Sequence, residues 1–234
     1  MSKQVPLEKA KELRINADFN KQVLITPEQY QWVASPIKGV ERMMLDRIGN
    51  ESARATSLVR YQANSYFSEH VHSGGEEFYV LEGAFADEHG EYPAGSYVRN
   101  PIGTKHSPKV GENGAIIFVK LQQFATDDRL RVNINTHTNG WRAGLVEGLQ
   151  VMPLHQHNTE SVALVKWAPF TQFQTHTHWG GEEILVLDGV FKDEYGSYPK
   201  GSWLRSPHMS THTPFTEQEG ALILVKVGHL AGLK

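Results

Sequence analysis

His70-Val71-His72-Ser73-Gly74-Gly75-Glu76-Glu77 and His176-Thr177-His178-Trp179-Gly180-Gly181-Glu182-Glu183 are one chemical phrase written twice, 106 residues apart. Each is followed at a shared distance by one more histidine, His106 and His212. Three neutral imidazoles and a carboxylate suit Zn, Fe(II), Mn, Ni or Co, one ion for each phrase. Alternate side chains on an extended strand share a face, so His70, His72 and Glu76 have one parity and Glu77 has the other. The Gly74-Gly75 pair can turn the chain and reset that alternation, so parity favours Glu76 without fixing it. The same reasoning favours His176, His178, Glu182 and His212. A single His-x-His is most often a surface pair. Six of the 12 histidines at equivalent positions of a repeat make two metal sites the better reading.

The other histidines lack this support. His155-Gln156-His157 aligns with Asp46 and Ile48 and reads as a solvated pair; His89, His137 and His229 read as structural or exposed. His208, four residues before His212, is a candidate outer contact of a ligand. Glu77 with Arg99 and Glu183 with Arg205 recur and suggest an ion pair in or across a barrel wall. Asp87-Glu88 and Asp193-Glu194 sit beside glycine and read as turn residues. No general base outside the ligand set stands out, so catalytic residues stay unassigned.

The elements that would hold these residues are strands. Short runs such as Phe78–Leu81, Gly95–Arg99 and Ala115–Val119 alternate with Gly, Pro, Asp and Asn clusters. Half of the residues from 70 to 120 are identical to those from 176 to 226. The match continues upstream after a three-residue shift, with Glu51-Ser52 answering Glu160-Ser161. Two copies of this length indicate tandem domains and not a solenoid. The expectation is an all-β chain of two tandem jelly-roll barrels: an N-terminal extension over 1–30, a first domain over 31–125, and a second over 126–234 that includes the crossover. Short helices are expected only at Leu7–Leu13 and Pro27–Val33.

Composition narrows the function classes. With 23 basic and 26 acidic residues the net charge is −3, which gives no electrostatic footprint for nucleic acid or an anionic membrane. The absence of cysteine removes disulfides, thiolate ligands and cysteine nucleophiles. The charged first fourteen residues have no signal-peptide core and no apolar run is long enough to span a bilayer, so a cytoplasmic protein is expected. Exposed edge strands make a homodimer an expectation as well.

The pattern His-x-His-x3-Glu-x6-Gly, then Gly-x5-Pro-x-Gly-x2-His, resembles the two cupin motifs. His70, His72, Glu76 and Gly83, then Gly95, Pro101, Gly103 and His106 carry both in the first unit. In the second, His176, His178, Glu182, Gly189, Gly201, Pro207 and His212 carry them, with Met209 in place of a glycine. Asn64 and Phe170 stand where a further glycine is usual; asparagine tolerates a left-handed backbone and phenylalanine does not, so the second turn is expected to differ. Among cupins, Gly-Gly-Glu-Glu-x3-Leu-Glu/Asp-Gly-x-Phe-x-Asp-Glu-x-Gly-x-Tyr-Pro-x-Gly-Ser is similar to the cupin domain of ChrR-type anti-sigma factors. The resemblance implies two cupin barrels, each with a divalent metal, zinc first and Fe(II), Mn or Ni as alternatives, on those eight ligands. It implies a sensory or regulatory protein that binds a small molecule, without the helical sigma-binding domain in its usual form. One alternative is a mononuclear-metal dioxygenase acting on small diketones or hydroxyketones; another is a zinc-stapled structural domain.

Overall fold

Alternation along the strand Glu76–Asp87 explains how the molecule is layered. The computed structural model describes residues 12–233. Phe78 and Val80 point into the first barrel, while Tyr79 and Leu81 join a core shared between the barrels. A bulge at Leu81 shifts the ladder to Lys109–Leu121 by one residue, so Phe85 beyond it faces the barrel interior again. Both faces of such a strand are buried, which is why it reads as a nearly continuous apolar run. The strand Glu182–Asp193 repeats the arrangement, with Ile184, Val186 and Phe191 inward and Leu185 in the shared core.

The first unit is a nine-stranded sheet whose central order is Val40–Ile48, Arg54–Tyr61, Lys109–Leu121, Glu76–Asp87 and Ser96–Asn100. The second is an eight-stranded sheet ordered Leu149–His157, Glu160–Trp167, Ala221–Val227, Glu182–Asp193 and Trp203–Ser206. Each barrel is closed by a two-stranded ribbon that carries histidines: His70–Val71 with Lys105–His106, and His176–His178 with Ser210–His212. The expected pair of all-β jelly-roll barrels is what forms. Met43, Leu58, Tyr97 and Phe118 from one barrel pack with Met152, Leu164, Trp203 and Leu224 from the other in one buried cluster.

Two short strands cross between the units. Val23–Ile25 pairs with Trp203–Ser206 of the second barrel, and Val132–Asn135 pairs with Ser96–Asn100 of the first. Each segment that precedes a unit therefore completes the sheet of the other. Pro27–Gln29 forms a single 3-10 turn, which Gln29 stabilises by accepting the Thr26 N–H at 2.8 Å; the helix expected through Val33 does not form, and Val33–Ala34 is an edge strand. The helix expected at Leu7–Leu13 lies outside the described residues, apart from its last two positions. Among the described residues, no helix is long and apolar enough to cross a membrane.

Candidate metal centres

The histidine ribbons bring the repeated residues together. His70 and His106 are ladder partners, as are His176 and His212, so each ribbon delivers two imidazoles to one point. The third comes from His72 or His178, two residues along the same chain. Gly74-Gly75 then swings the chain into the long strand. A Cβ on Gly75 would stand 2.4 Å from the Phe124 ring and one on Gly74 2.6 Å from the Gln122 backbone, so only glycine allows this approach. The turn returns Glu76, and not Glu77, to the imidazoles, as parity anticipated.

In the first barrel His72 Nε2 lies 3.0 Å from His106 Nε2, and the Glu76 carboxylate lies 3.3 Å from His72 and 3.7 Å from His106. The three rings are 4.7 to 4.9 Å apart between centroids. In the second barrel the His178–His212 separation is again 3.0 Å, with Glu182 at 3.5 and 3.6 Å. An ion about 2.1 Å from each ligand atom sets neighbouring ligands ~3.0 Å apart at right angles and ~3.4 Å apart in a tetrahedron. The ligand nitrogens of the three imidazoles in each cluster lie within 4.8 Å of one another, and each carboxylate stands near the tetrahedral spacing from two of the three.

The outer contacts decide which ring nitrogen carries a hydrogen. His106 Nδ1 donates to Asp87 at 3.0 Å and His70 Nδ1 to the Ser68 carbonyl at 3.1 Å, leaving both Nε2 lone pairs aimed inward. His212 donates likewise to Asp193 at 3.2 Å and His176 to the Gln174 carbonyl at 3.0 Å. Converging lone pairs beside a carboxylate repel one another, and a shared cation resolves the repulsion. The charge states agree at two of the imidazoles; at His212 burial works to lower the pKa, but Asp193 and Glu182 raise it, so its Nε2 must give up a proton before it can ligate. Burial lowers His72 to about 4 and His178 to about 3, so both are neutral at pH 7. Burial raises the Glu76 carboxyl and pushes Glu182 up to about 7. A carboxyl so reluctant to ionise alone is suited to a cation.

Asp87 and Asp193 do more than turn the chain. Asp87 Oδ1 accepts the His89 N–H at 2.8 Å and the Tyr92 hydroxyl at 2.9 Å, while Oδ2 holds His106. Asp193 does the same for Tyr195, Tyr198 and His212. The only sequence signal for this was the recurrence of an aspartate at one offset. His208 does not touch a ligand ring; its Nδ1 accepts the Gly180 N–H at 2.8 Å and so fixes the glycine turn.

Other expectations are corrected. His155 is buried, not solvated, and bonds Asp128 at 2.8 Å, while His157 stays near the surface. His229, expected to be structural or exposed, is structural: its ring packs against Glu183 at 3.1 Å. Arg99 does pair with Glu77, between the barrels. Arg205 instead reaches Asp46 at 2.9 Å, and Glu183 binds Lys120 at 2.6 Å. Burial works to raise the Glu183 carboxyl, but the Lys120 ammonium and His229 hold it well below the usual carboxylate range. Asp128, His155 and Glu160 also lie close enough to share an ion, but Arg99 and Lys226 already serve those carboxylates.

The turn expected to differ in the second unit does not. Phe170 adopts φ 58°, beside 56° at Asn64, and Met209 adopts 65° where Gly103 has 85°. Tertiary hydrogen bonds override residue preference. Phe170 N–H donates to Glu217 and Met209 N–H to His178, as Asn64 does to Gly111 and Gly103 to His72.

The barrels differ in the space around the clusters. The first opens into a cavity of about 620 Å³ that His70, His72, Glu76 and His106 line. Beside the second cluster the cavity is about 180 Å³. Small-molecule sites span ~300–1,000 Å³, so only the first is roomy enough. Two local differences accompany this. Ile48 and Arg54 are joined by the five residues 49–53, several of which line the cavity, whereas His157 and Glu160 are joined by two. Tyr61 is replaced by the larger Trp167; each stacks edge-on with the equivalent Phe67 or Phe173, but in the second barrel Phe173 also stands edge-on against His176 at 5.0 Å.

The family model described as the ChrR cupin-like domain matches residues 20–125 and 130–231. The chain belongs to that family, in two tandem copies. No curated protein matches it by sequence. Among solved structures, it is similar to a candidate dioxygenase from Nostoc punctiforme, at 18% identity over 89% of this chain and 82% of that one, with a TM-score of 0.76. A candidate glyoxylate-induced protein from Pseudomonas aeruginosa gives 12% identity over 96% and 93%, with a TM-score of 0.71. The pirin YhhW from Escherichia coli, solved with nickel(II), gives 13% identity over 88% and 98%, with a TM-score of 0.63. At these identities the likeness is one of fold.

Proposed function

We propose that the first barrel holds one divalent metal on His70, His72, Glu76 and His106 and binds a small chelating molecule there, while His176, His178, Glu182 and His212 hold a second, enclosed ion that braces the fold. The observation that carries this reading is the cavity of about 620 Å³ at the first cluster against 180 Å³ at the second. When bound, the metal supplies a Lewis acid and a template for adjacent oxygens. The chain's own residues do the rest. Asp87 keeps the His106 hydrogen on Nδ1, Asn100 donates to Glu76 at 3.0 Å, and Val40, Val59, Phe67 and Phe85 give the cavity apolar walls. A ligand with two neighbouring oxygens and a short apolar body fits that combination, and the activity it suits best is dioxygenase cleavage of a small diketone or hydroxyketone. A sensory role for the same site is the second reading. It is favoured by Glu77, which follows Glu76 and is bound into the interface between the barrels.

The test is anaerobic purification with metal analysis, then oxygen uptake with β-diketones and hydroxyketones. Uptake that survives His178→Ala and disappears in His72→Ala supports the enzyme. Zinc alone with no uptake rules the dioxygenase out. Ligand binding without turnover transfers the assignment to the sensor.

A further inference from the structure

The residue that follows each candidate carboxylate ligand finds a partner in the other barrel. Glu76 and Glu77 are neighbours on one strand and point opposite ways, Glu76 to the imidazoles and Glu77 into the interface. Glu182 and Glu183 do the same. Lys120 lies directly across the ladder from Glu77, and Lys226 directly across from Glu183. The ammonium groups nevertheless cross over. Lys120 Nζ reaches Glu183 of the second barrel at 2.6 Å and Thr56 at 2.9 Å; Lys226 Nζ reaches Glu77 of the first at 3.1 Å and Glu160 at 2.8 Å. Lys120, Lys226, Glu77 and Glu183 are all buried. Arg99 also holds Glu77, and Trp203 and His229 also hold Glu183, so each lysine is the cross-barrel part of a shared grip. A buried carboxylate that loses part of its grip must move toward the partners that remain, so each lysine helps to fix where its glutamate sits. The next residue on that strand is a ligand, and ligand sets respond to small displacements.

We infer that Lys120 and Lys226 are crossed positioning residues: Lys120, in the first barrel, sets Glu182 of the second, and Lys226, in the second, sets Glu76 of the first. The inference rests on the reading that both clusters bind metal. It makes the two sites mutually dependent although neither ligand set touches the other.

Zinc(II) affinity in single-site proteins tests it. His178→Ala leaves only the first cluster and His72→Ala only the second. In the His178→Ala protein, Lys226→Met weakens zinc binding about tenfold, the low end of the ~10–100-fold seen for outer contacts, while Lys120→Met leaves it within about twofold. In the His72→Ala protein the two effects exchange. A general loss of stability would not produce this exchange. Equal losses at both sites, or losses that follow the barrel carrying the lysine, overturn the inference. Should a single lysine variant fail to fold, Lys120→Met/Glu183→Gln and Lys226→Met/Glu77→Gln remove the orphaned charge and carry the same crossed loss; an uncrossed result there also overturns it. If neither single-site parent binds zinc, the metal reading and the inference fall together.

Discussion

Asp87→Asn isolates what an outer-contact carboxylate does for the first site. One oxygen of Asp87 accepts His106 Nδ1–H, and the other accepts the His89 N–H and the Tyr92 hydroxyl. An amide has one oxygen for these two duties. With its oxygen toward His106, its NH2 meets the His89 N–H, donor against donor. Facing the other way, it presents NH2 to His106 Nδ1, which favours the tautomer whose Nε2 carries the hydrogen and cannot ligate. Both orientations also lose the negative charge that makes the imidazole a better ligand. Outer contacts of this kind are worth ~10–100-fold in metal affinity, and the surviving hydrogen bonds place this change near tenfold, about 1.4 kcal/mol. The assay is competitive zinc titration in the His178→Ala protein, with apo stability followed by urea unfolding. An unchanged affinity alongside a lowered stability would refute the reasoning, because Asp87 would then be only a turn residue.

Replacing His72 and His178 one at a time should each remove half of the bound metal, read by elemental analysis; loss of all metal from either leaves one competent site. Metal binding should strengthen with pH. The folded apo protein holds the Glu182 proton up to about 7, above the ordinary 4.5. That proton's stabilisation of the apo fold is complete below pH 4.5 and is lost as pH rises through 7, and the carboxylate the metal requires appears over the same window. His178, near 3, stays neutral throughout, while His212, raised by Asp193 and Glu182 against the effect of burial, also loses its proton as pH rises and acts in the same direction. The zinc-induced rise in Tm of the His72→Ala protein should therefore grow from pH 5 to 7.5, and a flat profile would count against the assigned carboxylate. Met209→Gly relieves a left-handed strain of ~1–2 kcal/mol at an entropic cost of ~0.5–1 kcal/mol, so urea unfolding should show a gain of about 0.5–1 kcal/mol.

The ligand-type residues and the paired barrels were legible because the repeat marked them. A shared spacing separated six histidines from the rest, and parity favoured Glu76 over Glu77 without fixing it. The role of Asp87 was hidden because its partner His106 lies 19 residues away and meets it only after the chain has doubled back through Gly90–Pro93. The exchanged strands Val23–Ile25 and Val132–Asn135 are too short to carry a period, and their partners are distant in sequence. The three-residue shift near Glu51 was visible as an alignment irregularity, but its effect on the cavity depends on where that hairpin folds. Phe170 and Met209 misled because a turn's hydrogen bonds, and not its side chain, kept the left-handed backbone.

On the proposed function, only the first barrel should offer its metal to a small ligand. Cobalt(II) loaded into each single-site protein gives a visible spectrum that reports its coordination, and acetylacetone, a small β-diketone, is the probe. The spectrum of the His178→Ala protein should shift and saturate on titration, while that of the His72→Ala protein should not change. Equal shifts in both, or no shift in the first, would contradict the account.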